Sequence, residues 1–262
     1  MKRTCVLFVF LSFLSSLLLA ADSNRFDPSG SDGAAVAVAD QVMKALGGTR
    51  AWDDAHFLRF DFVSERDGKQ NVIRSHWWDK WSGRHRVEGK TKDGEPYVVI
   101  ENINTHAGGQ AWKNGVKLSG DEERKFLDSA YGAWVNDTYW LLMPFKMKDP
   151  GVNLKDGGVE TLDGKSWDKV LLTFENVGLT PKDRYFVSVN RSTHLVDQWC
   201  FILNGEDVPP TCYQWKGWAK YGPIMLAPER DAVGTDRKLL FGNLAVTNDM
   251  PAAVFESPEA VK

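Results

Sequence analysis

The run Leu58-Arg59-Phe60-Asp61-Phe62-Val63, then Asp67-Gly68, then Val72-Ile73-Arg74-Ser75-His76-Trp77-Trp78, sets the architectural class of this 262-residue chain. Leu58, Phe60 and Phe62 alternate with Arg59 and Asp61, the period of a half-buried strand. Asp67-Gly68 suits a two-residue hairpin loop, whose central positions both need a positive φ. With those residues as the loop, Phe62 faces Ile73 and Leu58 faces Trp77, so both strands bury one face. Toward the C-terminus, Arg84 to Glu88, Tyr97 to Ile103 and Gly109 to Lys113 carry strand character, separated by turns at Asp93-Gly94 and Asn114-Gly115. This first half reads as an antiparallel meander. Upstream, Ala34 to Leu46 predicts a helix, with Val38, Val42 and Leu46 four apart and Gly47-Gly48 as its stop.

Residues 119–150 break the β pattern. Ser119 followed by Glu122 reads as a capping box, and Asp121, Glu122 and Glu123 suit the positive end of a helix. Phe126, Leu127, Ala130, Tyr131 and Trp134 form its apolar stripe. Asn136 or Asp137 reads as the cap of a second short helix carrying Tyr139 to Met143, which Pro144 ends. Strand patterns then resume at Trp167 to Glu175, Tyr185 to Asn190, His194 to Leu203, Thr211 to Ala219 and Leu239 to Thr247. Gly157-Gly158 reads as a turn. No linker divides the halves, so the expected fold is mainly β with α. It is a single curved antiparallel sheet or incomplete β-barrel over residues 34–256, with an N-terminal helix, a helical lid and a tail at 257–262.

The N-terminus reads as an export signal over residues 1–21: Lys2 and Arg3, an apolar run from Val6 to Leu19, then Ala20 and Ala21. Residues 22–33, rich in Asp, Ser and Gly, read as a flexible leader. Cleavage takes the net charge from −3 to −5 through loss of Lys2 and Arg3, which gives the chain no electrostatic attraction to nucleic acid. No later stretch is long and apolar enough for a spanning helix, so the expectation is a released periplasmic or extracellular protein. Two cysteines remain, Cys200 and Cys212. A loop at Gly205 to Asp207 sets them directly opposite, and Trp199 opposite Tyr213 on the other face. An oxidising compartment favours a disulfide there, with two buried thiols as the alternative.

Chemistry-bearing motifs are few. His56, His76, His85, His106 and His194 lack a second ligand at a metal-binding spacing, and no nucleophile elbow or phosphate-binding glycine loop occurs. The sequence therefore calls for no metal, cofactor or catalytic residue. A hydrolase using His76 or His106 with a nearby carboxylate is the enzymatic alternative. What stands out is aromatic, with eleven tryptophans in the chain. Most must fill a core, yet a curved sheet under a helical cover can also admit an apolar ligand.

The order of elements resembles that of the periplasmic lipoprotein carriers LolA and LolB. Trp134-Val135-Asn136-Asp137-Thr138-Tyr139-Trp140-Leu141-Leu142-Met143-Pro144-Phe145-Lys146, followed by Lys148-Asp149-Pro150-Gly151, is similar to the signature of a bacterial exported family of unknown function with that fold. The resemblance implies a hydrophobic cavity beneath a helical lid, and carriage of a lipid or a lipid-modified protein. It further implies a basic residue inside the barrel that contacts the lid, which no position in the sequence identifies. On this reading Phe126, Trp134, Tyr139, Trp140 and Met143 form the lid, facing Phe60, Trp77 and Trp199. The second reading is an interaction module that docks an envelope protein, its interior filled by its own side chains.

Overall fold

The computed structural model describes residues 25–105, 108–175, 181–259 and 261. The export signal, the start of the leader and His106 lie outside these residues. Helix α1 (Gly33–Ala45) buries Ala35, Ala39 and Val42. It stops at Gly47, whose φ of 119° only glycine adopts without strain. A short helix α2 (Gly48–Asp54) follows. Ahead of α1, Ser31 and Asp32 bond along Leu154 and Asp156 and seat the helix on the second half of the sheet.

The first half is the expected meander: β1 (Phe57–Arg66), β2 (Lys69–Asp79), β3 (Arg84–Lys90), β4 (Pro96–Asn102), β5 (Gln110–Lys113) and β6 (Val116–Lys117). A single helix α3 (Gly120–Leu142) then crosses the sheet. The second half comprises β7 (Val152–Leu162), β8 (Lys165–Phe174), β9 (Arg184–Asn190), β10 (Val196–Ile202), β11 (Thr211–Lys216), β14 (Glu229–Ala232) and β15 (Lys238–Thr247). A separate hairpin, β12 (Ala219–Tyr221) with β13 (Ile224–Leu226), interrupts it. The thirteen strands of the main sheet run in the order β6-β5-β4-β3-β2-β1-β15-β14-β11-β10-β9-β8-β7, with antiparallel neighbours throughout. β15 pairs with both β1 and β14 and joins the halves. β6 and β7 remain as edges, so the curved sheet does not close into a barrel.

Three departures from the sequence reading matter. First, Asp67-Gly68 does form a two-residue loop, with Arg66 opposite Lys69, but Asn71 is bulged out of β2. Phe62 therefore faces Arg74 and Leu58 faces Trp78, one residue away from the expected register. A one-residue slip sends every later side chain to the opposite face. Second, Gly157-Gly158 is a bulge inside β7 rather than a turn, so β7 and β8 form one long hairpin. Third, α3 is continuous where two helices were expected, and Ser119 makes no side-chain capping bond.

Cys200 and Cys212 are directly paired in the β10–β11 ladder, as are Trp199 and Tyr213, and the cysteines are joined by a disulfide. The connection is the longer segment 203–210. Reduction with dithiothreitol is expected to lower the unfolding free energy by about 2 kcal/mol, since the ladder already restrains a short loop. Urea titrations with and without reductant measure this.

Candidate functional site

Helix α3 and the sheet face beneath it form the candidate site. Ala130, Trp134, Asp137 and Leu141 recur at helical spacing along the face that α3 turns inward. Asp137 thus places a carboxylate within an apolar stripe, and a fully buried charge must be paired. The β2 bulge supplies the partners by turning Arg74, His76 and Trp78 toward the helix. Arg74 donates through Nε and Nη2 to the two Asp137 oxygens, both at 2.6 Å. His76 Nε2 lies 2.9 Å from Asp137 Oδ2, and Asn136 Nδ2 donates to Oδ1 at 2.8 Å.

The array continues across two more strands. His76 Nδ1 meets His85 Nε2 of β3 at 3.0 Å, and His85 Nδ1 meets Glu101 Oε1 of β4 at 2.9 Å. The Phe60 ring stacks on His76 at 4.7 Å. Burial acts to raise the Asp137 carboxyl, but the bonds from His76 and Arg74 outweigh it and hold the group below its ordinary value. Burial also dominates at His76, pushing it down to about 4 against the opposing pull of Asp137. The imidazole is neutral at pH 7. Glu101 additionally lines a surface cleft of about 340 Å³ between the β4–β5 strands and Phe255.

A second anchor holds the other end of α3. The carbonyl of Trp140 would ordinarily accept from the backbone N–H four residues on, but that residue is Pro144, which has none. Arg230 of β14 fills the role, donating Nη2 and Nε to Trp140 O at 3.0 and 3.2 Å and Nη1 to Ala227 O at 2.7 Å. Its guanidinium lies over the Trp215 ring, 3.4 Å from the centroid. Arg230 is fully buried, and burial lowers its pKa well below the ordinary arginine value. It is thus a basic residue inside the curved sheet that contacts α3.

Between the anchors lies an aromatic layer. Trp140 stands 4.4 Å from Trp199 and 4.9 Å from Tyr213 between ring centroids, and Tyr139 stands 5.6 Å from Tyr185. Phe60, Trp134, Tyr139, Trp140, Met143 and Trp199 are brought together in one core, with Met143 fully enclosed. Phe126 belongs instead to a small cluster with Val87, Val99, Ala111 and Ala130 under the first half of α3. Trp77 is corrected. The β2 bulge puts it on the outer face with Phe57, Val254 and Phe255, under the guanidinium of Arg59. Five ring donors in or beside the layer have no protein partner: the indole N–H groups of Trp78, Trp134, Trp199 and Trp215, and the Tyr139 hydroxyl.

Sequence reasoning missed the buried array and Arg230. Asn136 or Asp137 was read as a cap, and His76 belonged to an outer face in the expected register. The signal for Arg230 was Pro144 four residues after Trp140, which announces a carbonyl in need of a donor. For chemistry, His76 does lie within reach of a carboxylate, but both its ring nitrogens are engaged and it is fully buried. Among the described residues no three His, Cys, Asp or Glu side chains converge to hold a metal, and no helix is long and apolar enough to cross a membrane.

No family model matches the sequence, and no curated protein is detectably similar to it. Solved structures do resemble it. A DUF1329 family protein from Desulfovibrio piger is 13% identical, with 85% of this chain and 97% of that chain covered and a TM-score of 0.50. A LolA superfamily protein from Nitrosomonas europaea is 9% identical, with 84% and 96% covered and a TM-score of 0.48. At such identities the likeness is one of fold. The chain shares with the DUF1329 family protein a mainly β fold, here a helix, an antiparallel half-sheet, a helical crossing and a second half-sheet that leaves the barrel open.

Proposed function

We propose that the protein is an exported, non-enzymatic carrier of an apolar ligand, a lipid or the acyl chain of a lipid-modified protein, with α3 as its lid. The observation that carries this reading is the aromatic layer between α3 and the sheet. It is a broad apolar surface at which the indole N–H groups of Trp78, Trp134, Trp199 and Trp215 and the Tyr139 hydroxyl lack protein partners, beneath a helix held by two discrete polar anchors. An acyl chain sliding between the layers would gain about 0.8 kcal/mol per buried methylene before the costs of association. Its ester or amide oxygens would meet the free indole and phenol donors. Phe60, Phe126, Trp134, Tyr139, Trp140, Met143 and Trp199 are the residues assigned to the ligand.

Trp134 is the residue to test, because it is only partly buried and its loss leaves the second anchor intact. Trp134→Ser is expected to weaken binding of a fluorescent apolar probe about tenfold, with unchanged circular dichroism. Unaltered affinity would remove α3 from the site. The contact distances within the aromatic layer favour a second reading, an interaction module whose interior is filled. Native mass spectrometry of protein taken from its own envelope separates the two. A co-purifying lipid supports the carrier, and a lipid-free protein joined to an envelope protein supports the module.

A further inference from the structure

The hydrogen-bonded array under α3 fixes where its protons sit. Arg74 has only donors, so Asp137 accepts from it as a carboxylate. His76 therefore donates its Nε2–H to Asp137, which leaves its Nδ1 bare to accept from His85 Nε2–H. His85 Nδ1 in turn meets Glu101 Oε1 at 2.9 Å. A proton added to His76 can go only to Nδ1, where it faces the His85 N–H at 3.0 Å, donor against donor, in a fully buried setting.

The packing around the array decides what yields. Beyond Asp137, the last turns of α3 are fixed by Leu141, Leu142 and Met143, all buried, and by Arg230. The first half rests on the small Val87–Val99–Ala111 cluster through Phe126, Leu127 and Ala130, and on the Lys113–Glu122 ion pair at the surface. It also contains Gly132, around which nothing lies within 4 Å of a would-be Cβ. We propose that α3 is a proton-released lid: proton uptake at His76, buried between Asp137 and His85, detaches Asp137, and the first half of the helix lifts from the sheet. The proposal rests on reading α3 as the lid.

The charged and titratable groups facing the array are few. β2 contributes Arg74 and His76, β3 His85, β4 Tyr97 and Glu101, and α3 Asp137, with Asn136 beside it. β1 presents the Phe60 and Phe62 rings. The sign follows from His76. Its pKa is about 4 in the closed form against 6.5 for a free histidine. An opened lid therefore binds more protons between those values, and closure weakens as pH falls from 6.5 to 4. Above 6.5 the bias is absent, and below 4 it is complete.

Hydrogen exchange read by mass spectrometry on the whole ligand-free protein tests this, after correction for the intrinsic pH dependence of exchange. Protection of peptides from residues 120–136 is expected to fall about a hundredfold between pH 6.5 and 4, while residues 184–202 in β9 and β10 keep theirs. His76→Gln retains hydrogen-bonding groups toward Asp137 and His85 but cannot titrate, and it is expected to flatten the pH dependence. A wild-type helix whose protection does not change with pH overturns the proposal. So does a pH dependence that persists unchanged in this variant. No ligand enters the experiment, so a failure of the carrier reading leaves this result untouched.

Discussion

Asp137→Ala is expected to lower the unfolding free energy by roughly 3–5 kcal/mol, the range for removing one partner of a buried ion pair. The substitution strands the Arg74 guanidinium and the His76 N–H beneath a helix with nothing to accept from them. His76 then loses the group that fixes its tautomer, and the bonds to His85 and Glu101 lose their direction. Urea unfolding at pH 7 measures the loss. Replacing Arg74, His76 and Asp137 together by Leu is expected to recover much of it, because an apolar set of similar volume carries no desolvation cost. If the single and triple variants were equally unstable, the array would be contributing shape rather than charge pairing.

Arg230→Ala is expected to cost about 3 kcal/mol, through lost packing on Trp215 and Phe241 and an unpaired carbonyl at Trp140. Arg230→Met separates these contributions, since it restores volume but donates nothing to Trp140. A loss of about 1 kcal/mol is expected for it, together with faster exchange confined to residues 137–146. Thermal and urea unfolding of both variants, compared with exchange in that segment, decides how firmly the end of α3 depends on a single side chain.

Most of the architecture was legible because turns announce themselves. Asp67-Gly68, Asp93-Gly94 and Asn114-Gly115 punctuate the first half, and a loop centred on Gly205 to Asp207 placed Cys200 against Cys212. A bulge leaves no such mark. Nothing in Lys69-Gln70-Asn71-Val72 shows that Asn71 drops out of the ladder, yet that one residue decides which face receives Arg74, His76 and Trp78. The site was therefore read from the aromatics, whose burial follows from their size. The polar array, which depends on register, stayed hidden. β7 was lost for a related reason, because Asp156-Gly157-Gly158 in a bulge carries the composition of a turn. Asp137 was misassigned because an acidic residue within helical sequence suits a cap, and only the continuity of α3 shows it to be interior.

The seventh strand of the thirteen, β15, is the last to be synthesised, and it lies at the centre of the sheet. Phe57 must find Thr247, and Glu229 must find Leu240, before the halves become one surface. Until then each half presents a raw edge, β1 on one side and β14 on the other, to any strand nearby. Folding is thus set by closure over nearly two hundred residues of chain, a slow event compared with forming the hairpins on either side. A chain shortened before residue 238 retains both half-sheets and loses the seam between them, so it should aggregate rather than fold to a smaller domain.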